Sequence, residues 1–377
     1  MDRSDDNLLP TVGSGRSRQP SPKRTLALSA HGARWNPCRV AAILSIGLLL
    51  FLYCHSQYSS ASTSNATVDL PAESSQVSDP LAIYNLALST RNSHMAQTQT
   101  RATKYTTTSI PPLVHMIWLG PTTPPATAYR CRDEWQRKHP TWHVLFWDEP
   151  NATHVVRTHF AHLWPLYAAL PKVVMRSDWL RYMLLSVFGG IYADVDACPL
   201  KPFDQWDMVK GQPDPAGVVV GVEMDTLRAD WRTFANRAFQ IASWTLVSVP
   251  GHPLWAMILH DSVTRVQRLY NPRTNQWWAN VTDEVCESTG PAVVTDVTLQ
   301  GYMARWGDTS GRALHGMQDA RRFGDAVLLP ITSFAPHAAD MGAKGSWDVQ
   351  AYVHHGFSGT WKGQWSHVSV QVRDGTG

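Results

Sequence analysis

The sequence predicts an α/β domain with a mostly parallel central sheet across residues 110–377. Short apolar runs alternate with runs of helical period, the pattern of strands joined by helical crossovers. A hydrophobic content of 44% supplies a core for a domain of this length. No internal repeat interrupts the alternation.

The elements follow in order. LVHMIWLG (113–120) is an unbroken apolar run of strand length and reads as a buried strand. ATAYRCRDEWQRKHP (126–140) reads as a helix stopped by its proline, and WHVLFWDE (142–149) as a strand. ATHVVRTHFAHLW (152–164) and VVMRSDWLRYMLLSVF (173–188) read as helices. Glycines close the second, and GGIYADVD enters a strand. AGVVVGVE (216–223) is a further strand. FANRAFQIASWTLV (234–247), HPLWAMILHDSVTRVQRL (252–269) and PAVVTDVTLQGYMARW (291–306) read as helices, and DAVLLPI (325–331) as a late strand.

Three segments precede this domain. Residues 1–39 hold seven Lys/Arg and three Asp, a net +4, which leaves −1 for the rest of a +3 chain. A nucleic-acid binder concentrates positive charge on its folded part, so that class is set aside. Val40–Cys54 is an uncharged apolar run. It is shorter than the roughly 20 residues of an ordinary membrane span, yet its long leader is unlike a cleaved signal peptide. It is expected to be a short anchor. Lys23, Arg24, Arg34 and Arg39 precede it and no Lys or Arg follows until Arg91, which places residues 1–39 in the cytosol and the remainder in the lumen. Residues 55–109, rich in Ser, Thr, Ala, Gln and Asn, read as a solvated, disordered stem with one short helix around LAIYNLAL (81–88). Sequons begin at Asn65, Asn151 and Asn280. Cys131, Cys198 and Cys286 allow one intrachain disulfide at most, with one thiol left over.

The chemistry centres on FGGIYADVDACPLKP (188–202). Along an extended strand, Asp194 and Asp196 face the same side and Val195 the other. Two carboxylates that close repel, and a divalent cation removes the conflict. Ligands in open α/β sheets bind past the carboxyl ends of strands, where this pair sits. A solvated loop would show the same D-x-D spacing. The preceding helix adds weight: it is apolar nearly all round except for Ser177, Asp178 and Arg181, which share one face. That stripe is either an internal i,i+3 ion pair or the wall of the same cleft.

KVVMRSDWLRYMLLSVFGGIYADVDACPLKP resembles the core of glycosyltransferase family 32, which pairs an upstream S-D-x-x-R helix with G-G-x-Y-x-D-x-D. IPPLVHMIWLG, VVVGVEMD, RAFQIASWTLVSVPGHPLW, STGPAVVTD, AVLLPITSFAP and AYVHHGFSGTWK resemble, in the expected order, its fungal initiation-specific α-1,6-mannosyltransferase branch. The resemblance spans 110–362. It implies a GT-A, Rossmann-like nucleotide-sugar fold, Mn²⁺ or Mg²⁺, and a type II Golgi membrane protein. It further implies GDP-mannose as donor and an N-glycan core on glycoproteins as acceptor, joined in α-1,6 linkage; membership of a mannosyltransferase complex stays open.

The resemblance also distributes roles. Asp196 is expected to ligate the metal directly, and Asp194 to contact it through water or to meet the donor's ribose or sugar hydroxyls. Ser177, Asp178 and Arg181 would meet ribose and sugar hydroxyls, and Trp118 would stack on the base. The distantly related toxin glucosyltransferases close the metal shell with a C-terminal acidic residue and a serine, near a Trp. Here His354 or His355, with the latter favoured, and Ser358 stand in those places, with Trp361 over the donor. Glu223 and Asp225 would orient acceptor or donor. Independently of the resemblance, Ser288-Thr289-Gly290-Pro291 opens a helix with Pro in its first turn, and its free N–H groups would either face the diphosphate or acceptor hydroxyls or simply cap the helix.

Three other readings compete. Haloacid-dehalogenase phosphatases use D-x-D-x-T, but Cys198 stands where the Thr belongs. A sugar-binding module without turnover would not need both D-x-D and S-D-x-x-R. A mannosyltransferase acting on inositol phosphoceramide shares the D-x-D core, but such proteins carry further spans, and the sequence after Tyr53 offers none.

Overall fold

The computed structural model describes residues 79, 81–99, 110–120, 122–208, 216–274, 276–277 and 284–358. The expected cytosolic tail and anchor, the sequons at Asn65 and Asn280, and Trp361 lie outside them. Among the described residues, no helix is long and apolar enough to cross a membrane.

In chain order the elements begin with α1 (Ala82–Gln99), β1 (Leu113–Ile117), α2 (Ala126–Lys138), β2 (His143–Trp147), α3 (Glu149–His159), α4 (Trp164–Ala169) and α5 (Val173–Phe188). Next come β3 (Gly190–Ala193), β4 (Ala197–Pro199), β5 (Val218–Asp225), β6 (Phe239–Ile241), β7 (Thr245–Ser248) and α6 (Pro253–Leu269). A small ribbon, β8 (Tyr270–Asn271) and β9 (Gln276–Trp277), leads to α7 (Val285–Ser288), α8 (Pro291–Asp296) and α9 (Gly311–Leu314). β10 (Arg321–Phe323), β11 (Ala326–Leu329) and β12 (Val353–His355) complete the set.

The central sheet runs β10-β11-β5-β7-β3-β1-β2, with β6 paired to β5. β2, β1, β3, β5 and β11 all point the same way; β7 lies antiparallel between β3 and β5. This is the expected mixed α/β architecture. Helix α5 packs behind the sheet with Trp179, Leu180, Tyr182 and Leu184 buried. It ends because Gly189 takes φ +65° and Gly190 +94°. A side chain on Gly190 would sit 2.6 Å from the Leu113 carbonyl, so β3 can lie against β1 only with glycine there. The fully buried His115 bridges the same junction, its Nε2 2.8 Å from the Gly189 carbonyl and its Nδ1 accepting from Trp147.

Three expectations need correction. Residues 234–247 are not helical; they supply β6 and β7. Every residue from Phe239 to Val249 is buried, so no polar face marks a period, and the slot between β3 and β5 dictates strand for the β-branched Thr245 and Val247. The 55–109 stretch is not wholly a solvated stem: Ala82–Gln99 is an 18-residue helix. Tyr84 and Ala87 are buried against the domain, and the Tyr84 N–H donates to Asn151 Oδ1 at 3.1 Å. Third, β3 stops at Ala193, before the aspartates.

Asn151 itself is 2% exposed and its Nδ2 donates to Asp148 Oδ1, so this sequon is sealed in the folded domain. Cys131 and Cys198 form the disulfide, and Cys286 takes no part in it.

Candidate functional site

Asp194 is the first residue past β3, at the carboxyl end of the parallel strands. Its N–H donates to the Trp244 carbonyl at 2.8 Å, and Ala197 N–H then closes a turn on the Asp194 carbonyl at 2.9 Å. That turn, rather than an extended strand, carries the Asp196 carboxylate back toward Asp194. β4 leaves the turn and pairs antiparallel with β12, with Ala197 opposite His355.

The ladder delivers the remaining members. His355 Nε2 lies 3.1 Å from Asp196 Oδ1 and 3.9 Å from Asp194 Oδ2. Asp196 Oδ2 accepts the Ser358 N–H at 2.9 Å and its hydroxyl at 2.6 Å. One donor atom each from Asp194, Asp196 and His355 falls within 4.8 Å of the others. Burial alone would raise the Asp196 carboxyl, but hydrogen bonds from His355 and Ser358 and the His355 charge outweigh it and hold the group well below the usual carboxylate range. Two carboxylates, one imidazole and a hydroxyl form a donor set suited to Mn²⁺ or Mg²⁺. His354 lies outside the cluster, its ring edge-on to His337 at 5.3 Å.

His355 is held by packing. Its ring stacks on Trp244 at 4.3 Å and 3°, and Phe357 meets it edge-on at 4.3 Å. Phe357 adopts φ +46°, a strained conformation for a bulky residue, in the short link between His355 and Ser358.

Arg181 is buried behind the pair. Nη1 donates to the Ser243 carbonyl at 2.7 Å and lies 3.2 Å from Asp194 Oδ1; Nη2 lies 2.7 Å from Asp178 Oδ1. The Tyr192 hydroxyl donates to the same Asp194 oxygen at 2.5 Å. Asp194 Oδ1 is thus anchored, and Oδ2 is the atom left facing His355. Asp178 is 3% exposed and its second oxygen accepts from Thr289 Oγ1 at 2.7 Å. Burial pushes Asp178 up to about 6, against the pull of Arg181 and Thr289. The S-D-x-x-R stripe is therefore both an ion pair and a wall: Asp178 and Thr289 brace it from behind, while Ser177 and Arg181 line the cavity. Trp118, Asp194 and Asp196 line it too. The Trp118 indole is fixed by a 2.6 Å hydrogen bond to the Thr122 carbonyl.

Glu223 and Asp225, at the end of β5, part company. Asp225 is spent on structure: Oδ1 lies 2.6 Å from His315 Nδ1 and Oδ2 accepts the Gly316 N–H at 2.7 Å. Glu223 sits where the β5–β6 register shifts, an irregularity that re-aims a side chain. Its Oε2 is buried with no hydrogen-bond partner. Burial pushes the carboxyl up to about 8, with Gln240 pulling down and the Asp194 charge adding to the rise.

Sequence reading assigned no role to Tyr192, Ser243 or Trp244. Tyr192 sits inside the motif itself; the other two were hidden in the segment expected to be helical.

An α/β sheet with an acidic pair, completed by a histidine and opening on a cavity at its carboxyl edge, defines the class of site. Residues 125–211 match the family model described as "Glycosyltransferase sugar-binding region containing DXD motif". The chain is 30% identical over 233 residues to the initiation-specific alpha-1,6-mannosyltransferase of Schizosaccharomyces pombe, covering 60% of this chain and 58% of that protein. It is 32% identical over 216 residues to the protein of the same name from Candida albicans, covering 52% and 56% respectively. To inositol phosphoceramide mannosyltransferase 1 of S. pombe it is 27% identical over 101 residues, 25% of this chain and 30% of that one. The match to the family model is confined to that segment, and the chain spans little more than half the length of the two alpha-1,6-mannosyltransferases it matches.

Proposed function

We propose that this chain is a retaining, cation-dependent GT-A glycosyltransferase. It moves mannose from GDP-mannose onto an N-glycan core in α-1,6 linkage, the step that starts outer-chain elongation. The observation that carries the reading is the convergence of Asp194, Asp196, His355 and Ser358 within and beside the segment matching the DXD family. The names of the relatives support the sugar and the linkage.

Asp194, Asp196, His355 and Ser358 would hold Mn²⁺ or Mg²⁺. Such an ion, when bound, offsets the charge of a departing diphosphate. Trp118 offers a π-face to the base, and Ser177 with Arg181 offers donors to ribose or sugar hydroxyls. Asp178 acts from behind by fixing Arg181. An α-linked donor giving an α-linked product retains configuration, so no strong base behind the sugar is required. Glu223 is the carboxyl left to orient acceptor or donor, since Asp225 is occupied elsewhere. Placement as a type II Golgi membrane protein rests on Val40–Cys54 and its basic flank.

A second reading, transfer to inositol phosphoceramide, is favoured only by the shorter matches to those enzymes. The deciding assay supplies the purified chain and Mn²⁺ with a panel of nucleotide sugars, on Man8–Man9-type glycans and on inositol phosphoceramide. Mannose transfer from GDP-mannose to the glycan is expected. Transfer only from UDP-sugars would sink the mannosyl reading, and transfer only to the lipid would replace the acceptor.

A further inference from the structure

The strands that carry the cluster are short. β4 and β12 have three residues each and form a two-stranded sheet apart from the central one. A ribbon that small is marginal alone and needs outside support. Helix α2 supplies it through two independent links. Cys131 is bonded to Cys198, and the Trp135 indole N–H donates to the Ala197 carbonyl at 2.8 Å. Cys131 and Trp135 stand one turn apart on the same face of α2 and are both buried. Ala197 and Cys198 are the two residues after Asp196, and they pair with His355 and His354. A third contact holds the far end: His139, capping α2, accepts the Phe203 N–H at 2.9 Å.

We propose that Trp135 and the Cys131–Cys198 bridge are positioning residues for the cation site. They fix the backbone joining Asp196 to the β4–β12 ladder, so that carboxylate and imidazole stay within reach of one ion. The inference rests on the metal reading of Asp194, Asp196 and His355. Its signature is metal affinity, which loss of a remote buried contact would not alter.

The test is Mn²⁺ binding to the full chain, followed by the paramagnetic resonance of free Mn²⁺. Trp135→Phe removes the indole N–H and keeps the bridge; Cys131→Ala/Cys198→Ala removes the bridge and keeps the indole. Trp255→Phe is the control: Trp255 is equally buried, donates to Ser248 Oγ at 2.6 Å, and lies on α6 away from the cavity. The Mn²⁺ Kd is expected to rise about tenfold or more in Trp135→Phe and in the double variant, as for other losses around a metal's ligands. Trp255→Phe is expected to bind as wild type although it too unfolds at lower temperature. Wild-type affinity in Trp135→Phe, or an equal loss in Trp255→Phe, overturns the positioning role. Absence of saturable Mn²⁺ binding by the wild type overturns the metal reading instead, and the positioning role falls with it.

Discussion

Two acidic pairs with the same spacing lie at the carboxyl ends of two strands that run the same way with β7 between them: Asp194 and Asp196 after β3, Glu223 and Asp225 at the end of β5. In the first, a turn brings the carboxylates together and β12 adds a histidine and a serine from far along the chain. In the second, the backbone separates them: Asp225 is tied to the His315–Gly316 loop, and Glu223 is re-aimed by the register shift. Residue spacing is therefore a poor guide to a cation site. What matters is how the backbone leaves the strand and what approaches from elsewhere.

The contrast can be broken most forcefully at Asp196. Asp196→Ala removes both a proposed metal ligand and the anchor of Ser358, and transfer should fall about a hundredfold or more. A steady-state assay at saturating Mn²⁺ that found full activity would falsify the metal assignment. Next comes the histidine pair. His355→Ala should weaken Mn²⁺ binding by about ten- to a hundredfold, while His354→Ala should stay near wild type. Titration of the two variants checks this, and the reverse ranking would move the site.

The second pair is tested by pH. The Glu223 carboxyl is raised from 4.5 to about 8 in the folded state. Between those values the unfolded chain has lost a proton that the folded chain keeps, so stability falls as pH rises. The contribution is fully present below 4.5 and gone once pH passes about 8. Metal-free thermal melts from pH 5 to 8 should show a falling Tm in wild type and a flatter profile in Glu223→Gln; parallel profiles would mean that Glu223 is ionised. The smallest effect belongs to Asp225→Asn, which weakens the bonds to His315 and Gly316. Urea unfolding should report a loss of about 1–2 kcal/mol with Mn²⁺ affinity unchanged. A change in affinity there would join the two pairs into one site.

The strands that run one way were all legible, because each is a mainly apolar run of strand length, buried on both faces in β1, β3 and β11. The antiparallel insertions were not. Phe239–Ile241 and Thr245–Ser248 are also buried throughout, but they are short and adjoin each other, so their spacing satisfies a helix equally well. The site divides similarly. Asp194, Asp196 and the Ser177–Arg181 stripe announce themselves by charge in an apolar setting. His355 was reached only through family resemblance, for a histidine in a loop-like stretch carries no signal of its own. The Trp244 ring and Ser243 carbonyl matter through the register of β7 on β3, which no local pattern encodes.

The cluster also has an order of assembly. The disulfide joins residues 67 apart, whereas Ser358 meets Asp196 across 162 positions. A chain emerging from its N-terminus has α2, β3 and the acidic turn in place long before β12 exists. During that interval the two carboxylates form a corner with no imidazole to face them. On the proposed metal reading, the full donor set exists only once β12 has docked on β4. A chain halted before β12 would hold both cysteines and both carboxylates, yet lack the His355 and Ser358 that the proposed ion requires.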